Sequence, residues 1–174
     1  MKYITLLLLF LSVISCCSKK SNVSSQQNTT SSNNYCPENG VCTLDILNNK
    51  GLLIKSNNEN KPTYEIIDAI NKKVVVYTFS TNQDEVAFDG GYNESVIFEI
   101  NSNDENKTYL DEELKMVKMF YNKQKNIRTN DIKIITQGKL VLSLKADVVN
   151  FNLELTNNDD NQKIKTIKVI DGKL

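Results

Sequence analysis

Between residues 35 and 174 apolar side chains recur mostly at every second position, and β-branched or aromatic residues cluster in short runs between polar breaks. This is the periodicity of half-buried strands. It predicts strands over 41–47, 52–56, 63–68, 73–80, 94–101, 131–136, 139–145, 148–156 and 163–170. The clearest alternation is Leu140, Leu142, Leu144 and then Val149, Phe151, Leu153, Leu155, with Ser143, Asn150, Asn152 and Glu154 at intervening positions. Each run offers one dry face and one wet face. Asp89-Gly90-Gly91, Gly138 and the polar run Asn157-Asn158-Asp159-Asp160-Asn161 supply turn chemistry between them. Roughly nine or ten such strands make an all-β fold, mainly an antiparallel β-sandwich, with a closed β-barrel as the alternative.

One stretch fits two periods. Over 109–124, Leu110, Leu114, Val117 and Phe120 or Tyr121 fall at helical spacing, with Asp111, Glu112 and Glu113 where a helix dipole favours acids. Leu114, Met116, Lys118 and Phe120 also alternate as in a strand. The reading adopted is a strand with a preceding turn, with one short helix near 110–122 as the alternative.

The amino terminus breaks the pattern altogether. Lys2 precedes an apolar run from Tyr3 to Ile14, about a dozen residues, whereas a membrane-spanning helix needs roughly 20. A basic start, a short apolar segment and small Ser15 read as a secretory signal over 1–15. Val13-Ile14-Ser15-Cys16 resembles the bacterial lipobox. That resemblance implies diacylation of the Cys16 thiol, cleavage before it and acylation of the new amino terminus. Several acyl chains, at about 0.8 kcal/mol per buried methylene, anchor far more firmly than one. Cys16 is thus expected to be an anchor, and Cys17 a free or secondary thiol. Among Gram-negative lipoproteins an aspartate after the lipidated cysteine favours inner-membrane retention, and Cys17 stands there instead. Surface-exposed lipoproteins of some related bacteria carry an acidic cluster soon afterwards, where this chain has Ser18-Lys19-Lys20-Ser21. By these likenesses the domain is expected on the outer membrane, facing the periplasm.

After the lipidated cysteine, residues 16–34 form a polar segment with too few apolar side chains to offset the entropy of ordering. It reads as a flexible tether reaching roughly 20 to 25 Å on average. Residues 35–174 are then one globular domain.

Composition narrows the partners more than the chemistry. The chain has 21 basic and 21 acidic residues, and no like-charge run within the domain. Such a balance leaves no electrostatic footprint for nucleic acid. The expected partners are the membrane, through the anchor, and another envelope protein. Cys36 and Cys42 are the two cysteines of the folded part, and export places them where disulfides persist. Between them, Pro37 and Asn39-Gly40 are turn formers, so the pair is expected to staple a turn at the start of the domain. Five intervening residues are not the CxxC spacing of a redox dithiol.

The lipobox, Cys36-Pro37-Glu38-Asn39-Gly40-Val41-Cys42-Thr43 after a polar tether, Leu114-Lys115-Met116-Val117-Lys118-Met119-Phe120 and Gly138-Lys139-Leu140 together resemble small lipoproteins of Flavobacterium-type (Bacteroidota) bacteria. Those proteins often carry further cysteines and a Gly-rich stretch where this chain reads Lys125-Asn126-Ile127-Arg128-Thr129-Asn130. The resemblance implies location and fold, not an activity.

Catalytic motifs are scarce. The chain contains no histidine, which excludes Ser-His and Cys-His pairs and histidine zinc sites. Gly90-Gly91 lacks the flanking glycines and lysine that cradle phosphates. Asn103, Asp104, Glu105 and Asn106, and Asp159 and Asp160 with their neighbouring asparagines, have oxygen donors suited to Ca²⁺ but match no calcium-loop signature, so they read as solvated turns. Asp111, Glu112 and Glu113 read as a helix start or solvated edge rather than as paired catalytic acids. Phe88 and Tyr92, flanking Gly90-Gly91, are candidates for an exposed loop tip that touches a partner. No catalytic, cofactor or metal residue is therefore assigned. The expectation is a non-enzymatic, lipid-anchored module binding another protein by a sheet edge or loop tips; the alternative is a lipid-, glycan- or calcium-binding carrier or sensor.

Overall fold

The structure, a computed structural model, describes residues 36–81, 91–126, 129–145, 148–156 and 161–173. The signal segment, Cys16 and its tether, Phe88, Gly90 and residues 157–160 lie outside the described residues. The strands are β1 (Gly40–Ser56), β2 (Pro62–Thr81), β3 (Asn93–Asn101), β4 (Asn106–Leu110), β5 (Phe120–Asn126), β6 (Thr129–Ile134), β7 (Gly138–Lys145), β8 (Val148–Leu155) and β9 (Thr166–Lys173), with a 3₁₀ helix over Asp111–Val117. They form a five-stranded sheet ordered β1-β2-β3-β5-β6 and a four-stranded sheet ordered β4-β7-β8-β9. Every pairing is antiparallel.

The fold is therefore an all-β sandwich. The closed barrel is not realised, because each sheet ends in strands with one neighbour. The inner faces meet in one apolar cluster: Val75, Tyr77, Phe79, Val96, Phe98, Ile100 and Tyr121 from the larger sheet, and Leu140, Leu142, Leu144, Val149, Phe151, Leu153, Ile167 and Val169 from the smaller. Phe98 and Phe151 meet edge to face at the middle, with ring centroids 5.4 Å apart.

Two predictions from periodicity need correction. The segments predicted as four strands over 41–80 are two long ones, of 17 and 20 residues. The polar breaks at Asn49 and Asn71 are bulges, each with an asparagine at positive φ (55° and 63°), where the paired ribbon bends without ending. The stretch 109–124 is not a strand after a turn. It ends β4, makes the 3₁₀ helix and only then begins β5. Leu114 and Val117 are buried one 3₁₀ turn apart while Met116 is 74% exposed, so the apparent alternation through Met116 does not set the structure. β4 itself was not predicted; Asn106-Lys107-Thr108-Tyr109-Leu110 has little apolar signal, and its pairing with β7 holds it.

Cys36 and Cys42 are joined by a disulfide, with Cα atoms 5.7 Å apart. Asn39 takes φ 64° in the enclosed turn, as its Asn-Gly pair suggested. Gly138 opens β7 at φ 140°, where an added Cβ would lie 2.3 Å from the Glu154 carbonyl oxygen. Because that oxygen belongs to a paired backbone, Gly138→Ala should cost about 2–3 kcal/mol of stability, measured by urea unfolding.

Candidate functional site

The bend at Asn49 and Asn71 creates the least expected feature of the molecule. Beyond it, the distal half of the β1–β2 ribbon folds back across the outer face of the larger sheet. Leu52 and Tyr64 pack there on Val74, Ile97 and Phe120, with the Tyr64 and Phe120 rings 5.1 Å apart. The tip carries Lys61 within electrostatic reach of Asp131 on β6.

Glu99, on β3 beneath this ribbon, fastens it. Its side chain is 6% exposed and accepts hydrogen bonds from the Leu52 N–H at 2.7 Å, from Lys118 Nζ at 3.0 Å and from Lys72 Nζ. Lys118 Nζ also donates to the Leu52 carbonyl at 2.6 Å. Burial alone would raise the Glu99 carboxyl, but these donors outweigh it and hold the group below its ordinary value. The arrangement locks structure in place. Sequence pattern gave no warning that an acid on a strand position would be buried.

This lock bears on partner binding because it closes part of a sheet edge. In the distal half of β1, the Leu52 N–H and carbonyl are engaged by Glu99 and Lys118. In the proximal half, 40–48, the described residues pair along one side only, with β2. Natural edges are blunted by shortness, charge, proline or bulges. β4 is short; β6 carries Asp131 and Lys133; β9 carries Lys168 and a register shift against β8. The 40–48 edge has Asp45 as its single charge, no proline and no bulge before Asn48. Cys42, Leu44 and Ile46 anchor it inward on the core, while Val41 is 58% exposed.

The other sequence candidates are accounted for structurally. Asp104 is buried: its Oδ2 accepts from Asn101 N–H, Asn101 Nδ2 and Tyr109 OH at 3.2–3.3 Å, and its Oδ1 pairs with Lys107 at 2.6 Å. Burial opposes ionisation there, and Lys107 and Asn101 overcome it, so the carboxyl is held below its usual value. Asn106 accepts from the Ser143 hydroxyl at 2.8 Å. These groups form a turn rather than converge on one point. Asp111 accepts from Gly138 N–H at 2.9 Å, Glu113 from Leu110 N–H at 3.0 Å, and Glu112 pairs with Lys115, as expected of a helix start. Among the described residues no three His, Cys, Asp or Glu side chains are grouped to hold a metal. Tyr92 corrects the loop-tip expectation: it is half-buried, its hydroxyl donates to Glu94 and lies 3.1 Å from the Asn161 carbonyl, and its ring meets Phe79 edge-on.

The class of protein that this geometry defines is an antiparallel β-sandwich with a folded-back ribbon and one open edge. Comparison with protein-family models, curated proteins and solved structures gives no match.

Proposed function

We propose that the protein is a lipid-anchored, non-enzymatic module of the bacterial cell envelope, held through Cys16 on the periplasmic side of the outer membrane, that binds an extended segment of another envelope protein. The carrying observation is the unblunted β1 edge over 40–48, beside a distal edge that is closed. Strand addition supplies affinity through main-chain hydrogen bonds, and side chains on alternate positions supply selectivity. The edge begins next to the Cys36–Cys42 staple, directly after the tether, so a partner would dock near the membrane end of the domain.

Crosslinked capture of the full lipidated protein from its own envelope, followed by mass spectrometry, tests the reading. One stoichiometric protein partner is expected, and Val41→Lys with Thr43→Lys should abolish its recovery while leaving the urea unfolding midpoint nearly unchanged. Undiminished recovery with the charged edge would overturn the docking site. Cys16→Ser should move the exported protein from the membrane to the soluble fraction; persistence on the membrane would overturn the anchor.

A further inference from the structure

At one end of the sandwich the apolar inner face of the larger sheet gives way to charge. The register places Phe79, Glu94 and Lys123 side by side across β2, β3 and β5. Glu94 is fully buried, and its oxygens accept from the Tyr92 hydroxyl and from the N–H groups of Lys163 and Ile164, both at 2.7 Å. The carboxylate thus straps the segment leading into β9 onto the other sheet. Its acceptor capacity is occupied by that role.

Above this strap lies a cleft of about 440 Å³ lined by Tyr92, Lys123, Lys125, Asn161, Gln162 and Lys163. The volume is within the ~300–1,000 Å³ range of small-molecule sites. Among the described residues the lining carries three ammonium groups and no carboxylate. Lys123 is 4% exposed, with its Nζ 5.9 Å from the Tyr92 ring centroid, whereas Lys125 and Lys163 are exposed at the mouth. Gln162 is the second, independent pointer. It is 4% exposed; its Nε2 donates to the Ile164 carbonyl, and its Oε1 is buried with no hydrogen-bond partner. A buried acceptor without a donor is costly. The terminal amide torsion is soft, so a small turn presents this oxygen to the cleft.

We propose that this cleft binds an anionic sugar, its acidic group held by Lys125 and Lys163 and a hydroxyl donated to Gln162 Oε1. The lysines select the charge. The orphan acceptor selects against a simple anion, because a fully ionised phosphate or carboxylate has no proton to donate, whereas a sugar carries several. Exposed Asn161 adds an amide suited to further hydroxyls. The site is remote from the function of the β1 edge and stands or falls independently of it.

Calorimetric titration of the full chain in detergent micelles tests the proposal, with glucuronate and glucose 6-phosphate as probes and glucose and inorganic phosphate as controls. At least one probe should bind saturably with Kd below about 1 mM, and both controls at least about tenfold more weakly. The tighter probe identifies whether carboxylate or phosphate is the preferred acid. Lys125→Gln and Lys163→Gln, both at exposed positions, should each weaken binding by about tenfold, and Gln162→Leu should bring the sugar acid down to the affinity of the bare anion. The proposal is overturned if neither probe saturates by about 20 mM, if inorganic phosphate binds as tightly as the sugar phosphate, or if both lysine variants bind like the parent.

Discussion

Replacing Glu99 with alanine should lower the unfolding free energy by about 3 kcal/mol. Removing one partner of a buried ion pair costs about 3–5 kcal/mol. The lower end applies because the side chains of Lys72 and Lys118 keep 35% and 31% of their exposure and can turn to water. The Leu52 N–H, however, loses its acceptor in a buried setting. A loss of this size corresponds to roughly 10 °C in melting temperature. Hydrogen exchange should show where it acts: amides over 50–68 should exchange faster than those of β7 and β8, because the folded-back ribbon loses its fastening while the sandwich keeps its core.

The same carboxylate gives a pH dependence of definite sign. Its folded value lies below the ordinary 4.5, so its contribution is present above that value and is lost as pH falls through the folded value. Asp104 adds in the same direction below its ordinary 3.8. The wild type should therefore lose stability progressively below about pH 4.5, and Glu99→Gln should flatten that limb. Equal acid slopes in the two proteins would show that Glu99 is not a principal contributor.

The second large effect is expected at Phe98, where alanine should cost about 3–5 kcal/mol, the range for deleting a buried phenylalanine. The ring is inaccessible to water, lies on the central strand of the larger sheet and meets Phe151 of the smaller one at 83°. Its loss opens a void where the two layers are joined. Urea unfolding should shift in midpoint with little change of slope, and Phe98→Leu should recover most of the loss. A double-mutant cycle with Phe151→Leu should retain about 0.5–1.5 kcal/mol of coupling beyond area burial.

How far these sites were legible in the chain varies with the kind of signal. Leu140, Leu142, Leu144 and Val149, Phe151, Leu153 are buried at alternate positions, as their period requires, and β7 and β8 fall within a residue of the predicted bounds. The turn of Cys36 to Cys42 was equally readable, because Asn-Gly and the spacing act locally. The central strands of the larger sheet held a clue in plain view. Val74-Val75-Val76 and Val96-Ile97-Phe98 are continuous apolar runs, the mark of strands covered on both faces. The inner members join the sandwich core, while Val74, Val76 and Ile97 lie under the returning ribbon.

Alternation along the chain thus determined the strands, their dry faces and the sandwich class, since a two-residue period depends only on neighbouring side chains. Tertiary structure alone decided that the β1–β2 ribbon turns back on itself, that Glu99 and Glu94 are buried as fasteners, and that residues 111–117 are helical. Each of these depends on groups far apart in the chain: Leu52 with Glu99, Glu94 with Lys163 and Ile164, Asp111 with Gly138. A carboxylate reads as solvent-facing until distant donors surround it. The open edge over 40–48 follows from the same cause, because an edge is defined by which strands come to lie beside it.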